Sequence, residues 1–209
     1  MIDNTSNPAI EQQLRSSIKR HDIINSLIAK HNFASYLEIG IFDGYTFNRV
    51  NCSLKHGVDP GAEGMLVSQV THRMTSDDFF EICDTTYDII FIDGLHEYKQ
   101  VIKDFNNSIK VINKNGYILL HDCNPPDEIS QTVPRRSISW NGDVWKAFIL
   151  IKRENPNASV IDSDFGIGLV PAQNLHSVQN IENFQIEWQE FDQNRSEFLG
   201  LVSVEEITI

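Results

Sequence analysis

The apolar positions of the chain change rhythm along its length. Ile10, Leu14, Ile18, Ile24, Leu27 and Ile28 recur near helical spacing, which predicts one broken helix or two short ones at the start of the chain. His21-Asp22 is the expected break, with Asp22 as N-cap. From Tyr36 onward, short apolar runs alternate with helical stretches, the pattern of βα units feeding a parallel sheet. Strands are expected at residues 35–39, 56–59, 72–74, 87–93 and 116–121. Between the last two, Val101, Ile102, Phe105, Ile109 and Ile112 form one helical stripe that Asn115-Gly116 should close.

Residues 122–142 contain Pro125, Pro126 and Pro134 and are long for a connection, so a lid or substrate loop is expected there. Asp143 should cap a helix running to Glu154, and residues 159–161 and 166–170 should form a hairpin around Asp162-Ser163-Asp164. Ile186, Trp188, Phe191, Phe198 and Leu201 mark an amphipathic tail. There is no repeat and no composition shift, so residues 1–209 read as one unit. Its parts are N-terminal helices over 1–34, a core over 35–171 and an extension over 172–209.

Composition narrows the function classes. With 41% hydrophobic and 22% charged residues over 209 positions, the chain fits one ordinary α/β domain. Its net charge of −12 argues against nucleic acid or an anionic membrane as partner, since both need clustered cations. A small-molecule substrate stays open, as does a homo-oligomer. The apolar runs around Ile89 and Tyr117 fall far short of the roughly 18 residues of a membrane span. Met1-Ile2-Asp3-Asn4 lacks the basic and apolar regions of a secretion signal. Cys52, Cys83 and Cys123 are odd in number and lack CxxC spacing, which suits reduced thiols in a cytoplasm.

In an open parallel sheet, ligands bind at the carboxyl ends of the strands. The first strand ends in Glu38-x-Gly40-x-x-x-Gly44, whose glycines let backbone approach a ligand closely. The spacing differs from the G-x-G-x-x-G of dinucleotide enzymes, and Glu38 would repel a pyrophosphate but suit an amine or sulfonium. A plain chain-reversing turn is the alternative. Asp59, at the second strand end, is placed to accept ribose hydroxyls, or is a solvated turn residue before Pro60. Thr75-Ser76-Asp77-Asp78 sits where an adenine edge would lie, and reads equally as a helix N-cap.

The fourth and fifth strands end in Asp93-Gly94-Leu95-His96 and His121-Asp122-Cys123. Parallel strands lie about 4.8 Å apart, so Asp93 and Asp122 can converge on one hard divalent cation. His96, one turn beyond Asp93, suits proton removal from a hydroxyl, and His121 suits a further ligand or an orienting role. Each histidine alone would more often be structural. Arg135, Arg136, Trp140 and Trp145 are candidate substrate contacts or, equally, solvated arginines beside core tryptophans.

Taken in order, Glu38-x-Gly40-x-x-x-Gly44, Asp59, Phe91-Ile92-Asp93-Gly94-x-His96 and the run from Asn115 to Asp122 resemble the class I, Rossmann-like S-adenosylmethionine-dependent methyltransferases. Within these, the resemblance is to small O-methyltransferases of sugars and natural products. It implies an α/β fold: a doubly wound, mostly parallel seven-stranded sheet with a final antiparallel strand and helices on both faces. It implies S-adenosylmethionine held by Glu38, Gly40 and Gly44 at its amino-acid end, by Asp59 at the ribose and by Ser76 and Asp77 at the adenine, with Asp93 adjoining. It further implies Mg2+ on Asp93, Asp122 and His121, and His96 as general base for a small-molecule or sugar hydroxyl. The chain departs from related enzymes at the fifth strand, where they often carry Asp-Asn or Glu-Asp. The rival readings are a nicotinamide oxidoreductase on a similar sheet, which Glu38 and the absent G-x-G-x-x-G disfavour, and a non-catalytic cofactor-binding protein.

Overall fold

Tyr36, Ile89, Phe91 and Leu119 face one side of a sheet, whereas Leu37, Ile39, Ile90, Ile92, Ile118 and Leu120 face the other. Successive side chains of a strand point to opposite faces, so runs that are apolar at every position belong to strands covered on both. The computed structural model describes residues 18–61, 70–182 and 184–207. Its strands are β1 (Ser35–Ile39), β2 (Leu54–Val58), β3 (Tyr87–Ile92), β4 (Ile112–Leu120), β5 (Ser159–Ile161), β6 (Ile167–Pro171) and β7 (Leu201–Val202). They form one seven-stranded sheet in the order β2-β1-β3-β4-β6-β5-β7. β6 runs antiparallel to β4 and β5, and the remaining pairings are parallel. This is the mostly parallel, doubly wound sheet expected from the sequence.

The helices are α1 (Arg20–His31), α2 (Ser76–Ile82), α3 (Tyr98–Ser108), α4 (Val144–Glu154), α5 (Trp188–Gln193) and α6 (Arg195–Leu199), followed by a 3-10 turn at Glu205–Ile207. Ile23, Ile24, Leu27 and Ile28 of α1 cover the Tyr36 face. Val101, Ile102 and Phe105 of α3 and Trp145 and Phe148 of α4 cover the other. The tail closes that second face: Phe191 stacks on Trp145 with ring centroids 4.2 Å apart. Among the described residues, no helix is long and apolar enough to cross a membrane.

Several boundaries move from their expected places. α1 starts at Arg20 with Lys19 as its N-cap, and Asp22 is the third helical residue, its carboxylate accepting from the Lys19 N–H at 2.9 Å. Ile10 and Leu14 lie outside the described residues. The expected strand at 72–74 shrinks to a single bridge between Val58 and His72. α3 ends at Ser108, and Asn115-Gly116 lies inside β4, not at a helix stop. The β3–β4 pairing is irregular between Tyr87 and Ile89, and that shift absorbs the extra residues. Asp143 does precede α4, but its carboxylate accepts from the Tyr98 N–H at 2.8 Å and so caps α3.

Candidate active site

The loop after β1 is built by backbone that only glycine adopts easily. Gly40 has φ +88°, and a Cβ there would collide with the Asp93 carbonyl and stand 2.6 Å from the Gly94 Cα. The loop therefore lies directly on the tip of β3. Asp59 ties it down: its Oδ2 accepts from the Ile41 and Phe42 N–H groups, each at 2.9 Å, and its Oδ1 from the Gly61 N–H at 2.7 Å. Glu38 is buried behind the loop and accepts a short hydrogen bond from the Tyr36 hydroxyl at 2.5 Å. Burial pushes its carboxyl up to about 8, against the lowering effect of that hydroxyl.

Pairing of Ile92 with Leu120 sets the next residues of both strands side by side. The His121 ring fills the gap. Its Nδ1 is 3.1 Å from Asp93 Oδ1 and 3.2 Å from Asp122 Oδ2, and its Nε2 is 2.9 Å from the Asp164 carbonyl oxygen. Burial opposes charging of His121, but Asp122 and Asp93 outweigh it and hold the imidazole well above its usual range. Asp93, in turn, is held below the usual carboxylate range despite burial, by His121, His96 and Arg20.

His96 forms the other wall. Its ring stacks on Trp140 with centroids 5.1 Å apart, and its Nδ1 lies 3.0 Å from the Trp140 carbonyl oxygen and 3.2 Å from Asp122 Oδ2. Both are acceptors, so Nδ1 carries the proton and Nε2 is the basic nitrogen of the neutral ring. Nε2 is 3.6 Å from Asp93 Oδ1. Burial lowers the His96 pKa, but Asp122 and Asp93 more than offset it and raise the pKa above its ordinary value. Gly142, with φ +60°, lets the loop pass against His96: a Cβ there would strike the His96 carbonyl.

These groups line one cavity of about 970 Å3 that runs from Ser76 and Asp77, past Gly40 and Asp59, to His96 and Trp140. At its far end Thr75 caps α2, accepting from the Asp78 N–H at 3.2 Å, while Asp77 pairs with Lys103 at 2.6 Å. Asp104 lies beneath, and burial pushes its carboxyl up to about 6 despite hydrogen bonds from Ser76 and Gln100. Asp93, His121 and Asp122 belong to the same strand-end cluster, Gly44 turns the loop with φ +78° but is not among the residues that line the cavity, and Trp145 is buried in the core against Phe191. Asp93, His96 and Asp122 offer donor atoms within 4.8 Å of one another, a set able to hold a divalent ion. His121, expected as a further ligand, lies with Nδ1 against both carboxylates and its second nitrogen engaged by Asp164.

Three residues of the site escaped the sequence reading. Arg20 enters from α1: its Nε donates to Thr46 Oγ1 at 2.7 Å and its Nη1 to Asp164 Oδ2 at 2.9 Å. Asp164 sits in the hairpin turn with φ +48° and also accepts from the Arg20 N–H at 3.1 Å. Asn141 donates from Nδ2 to Asp122 Oδ1 at 2.6 Å, and its buried Oδ1 has no partner among the described residues. No periodicity or motif marks these three. Arg20 and Asp164 are 144 residues apart, and each reads locally as an ordinary cap or turn residue.

Comparison with known proteins bears on the fold. Residues 37–123 match the family model described as a methyltransferase domain. An uncharacterized protein of Acanthamoeba polyphaga mimivirus is 35% identical over 112 residues, which is 42% of this chain and 51% of that protein. The chain thus spans about half the length of the curated relative it matches. The tomaymycin-synthesis O-methyltransferase of Streptomyces achromogenes, solved with S-adenosylmethionine, superposes with TM-score 0.53 at 12% identity, over 81% of this chain and 92% of that one. The O-methyltransferase of Bacillus cereus, solved with S-adenosylhomocysteine, gives TM-score 0.52 at 14% identity, over 80% and 92%. The family match covers less than half of the chain, and the sheet built around residues 37–123 shares the Rossmann-like fold of these solved structures.

Proposed function

We propose that the protein is an S-adenosylmethionine-dependent O-methyltransferase acting on a small-molecule hydroxyl, with a sugar or glycoside as the acceptor class. The observation that carries this reading is the placement of His96. Its Nδ1–H is fixed by the Trp140 carbonyl, which leaves Nε2 basic on the wall of the cavity that the Gly40 loop also lines. The bound cofactors of the two solved neighbours support the choice of S-adenosylmethionine. Glu38, Gly40 and Gly44 would receive its amino-acid end beside Asp93, Asp59 its ribose, and Ser76 and Asp77 its adenine.

The reaction is a displacement. The acceptor hydroxyl oxygen attacks the sulfonium methyl in line, the O–C bond forms as the C–S bond breaks, and the bonding pair leaves on the neutral sulfur. His96 Nε2 takes the hydroxyl proton. The imidazolium that results lies between Asp93 and Asp122, so the site stabilises the charge that develops during transfer. Holding the two reactants in line supplies much of the remaining acceleration.

A divalent ion, if bound, would be held by Asp93 and Asp122 with His96 as third donor, and would lower the pKa of the acceptor hydroxyl. A ligated Nε2 cannot accept a proton, so that role and the role of base exclude one another. His96 acts as the base. The test is transfer of label from methyl-labelled S-adenosylmethionine to a panel of glycosides and small phenols. Label in an ether linkage supports the reading; label on nitrogen, or none while a nicotinamide cofactor is turned over, contradicts it.

A further inference from the structure

The C-terminal segment, which the sequence marks only as an amphipathic tail, reaches the proline-rich loop through one side chain. Arg195, at the head of α6, donates from Nη1 to Asn124 Oδ1 at 2.7 Å and to the Pro125 carbonyl at 2.6 Å. Its Nε and Nη2 donate to Asp192 Oδ1 at 2.8 and 2.6 Å, and the guanidinium stands 5.1 Å from the Trp188 ring centroid and 4.9 Å from that of Phe191. A carboxylate thus fixes one side of the planar fork, and the other side grips the first two residues after Cys123. Asn124 is buried two residues beyond Asp122, and its Nδ2 donates to Asp162 Oδ1 at 3.1 Å.

A second tether joins the same segment to the middle of the loop. Phe191 stacks on Trp145, whose Nε1 donates to Gln131 Oε1 at 3.1 Å. The carbonyls on either side of Gln131 hold the returning limb: Thr132 accepts from Trp140 Nε1 at 2.7 Å, and Ser130 from the Asn141 N–H at 2.9 Å. Trp140 in turn sets the His96 ring, and Asn141 the Asp122 carboxylate. We propose that Arg195 is a positioning residue: it anchors the root of the proline-rich loop, and through that loop the Trp140 wall that orients His96. The C-terminal segment then belongs to the acceptor side of the site, an inference that rests on the proposed reading of His96 as base. The Gly40 loop is tied separately, by Asp59, so loss of Arg195 should loosen the His96 side and spare cofactor binding.

The test compares the full chain with its Arg195→Gln variant. Two charge-assisted hydrogen bonds to the loop root are lost, so trypsin should cut after the exposed Arg135 and Arg136 roughly ten-fold faster or more, while other sites keep their parent rates. In NMR spectra of histidine-labelled protein, the His96 Nδ1–H signal, held by the Trp140 carbonyl, should broaden or vanish. Turnover per cofactor-binding site, with sites counted by calorimetry, should fall roughly ten-fold at unchanged S-adenosylmethionine affinity. A merely structural Arg195 would lower the melting temperature and quicken cleavage at every site alike, with turnover per site and the His96 signal unmoved. An unmoved His96 signal overturns the inference. If Arg195→Gln does not fold, Arg195→Lys keeps the cation over the rings but loses the paired donors; the same changes are then expected at about three-fold, and their absence overturns the inference. A parent that methylates no glycoside or phenol counts against the methyltransferase reading alone, because loop cleavage and the His96 signal need no acceptor.

Discussion

The His96 ring lies face to face with Trp140, the planes inclined by 21°, and donates its Nδ1 proton to the carbonyl of that same tryptophan at 3.0 Å. One residue of the proline-rich loop thus fixes both the plane and the tautomer of the proposed base. The loop is held in turn by Asn141 on Asp122 and by the Asn141 N–H on Ser130. His96→Ala should lower turnover by roughly 10²- to 10⁴-fold, the usual contribution of a positioned base, with cofactor affinity nearly unchanged. Steady-state kinetics paired with calorimetry checks both halves. Near-parent turnover would remove His96 as base.

Metal dependence follows from the same nitrogen. With Nε2 acting as base, exhaustive chelation should leave turnover within about two-fold of the untreated enzyme, and added Mg2+ should not raise the melting temperature. Turnover abolished by chelation and restored by Mg2+ would instead make His96 a ligand with Asp93 and Asp122.

Asp104 gives a stability test that is independent of catalysis. Its folded-state pKa, about 6, lies above the ordinary 3.8 because burial disfavours the charge more than Ser76 and Gln100 favour it. A raised pKa means that the folded state holds the proton more tightly. The stabilising contribution is then complete below about pH 4 and is lost as pH rises through about 6. At neutral pH the penalty is on the order of 2–3 kcal/mol. Asp104→Asn should therefore be more stable than the parent at pH 7, and the advantage should vanish near pH 4. Denaturant titration at both pH values reads it. An Asn variant equally destabilised at both would show that the carboxylate is needed as such.

Much of this site could be read along the chain because its residues follow strand ends. Ile39, Ile92 and Leu120 close apolar runs, and the polar residues after them fall at the same edge of the sheet by the geometry of parallel pairing. Contacts between distant segments were not legible. Asp143 looked like the cap of its own helix, but a residue 45 positions earlier takes its carboxylate. Asn115-Gly116 looked like a helix stop, yet Gly116 continues β4, where its missing Cβ leaves room for the Asp88 carbonyl and the Ile112 side chain. The expected strand at 72–74 had too few pairing partners to form more than the bridge to Val58. Arg20 lay hidden for a related reason: it stands in the first turn of an ordinary helix, and only the fold turns that end toward Asp93 and Asp164.

Asp59 carries a prediction about the loop. Three backbone N–H groups, those of Ile41, Phe42 and Gly61, converge on its carboxylate, so Asp59→Ala would loosen the loop and remove the proposed ribose contact together. Affinity for S-adenosylmethionine should fall by roughly ten-fold or more. Asp59→Asn keeps an acceptor oxygen for the loop, and calorimetry should place it between the parent and Ala. An Ala variant with parent affinity would contradict the assignment.

Whether the cavity beneath the Gly40 loop holds S-adenosylmethionine is read by calorimetric titration of that cofactor into the parent and into Gly40→Val. Any side chain at Gly40 meets the Asp93 carbonyl and requires a backbone that valine rarely adopts, so the variant must push the loop off the β3 tip. One-site binding to the parent and its loss in Gly40→Val are expected, with the variant still folded by circular dichroism. No heat of binding in the parent, or equal affinity in the two proteins, would contradict it.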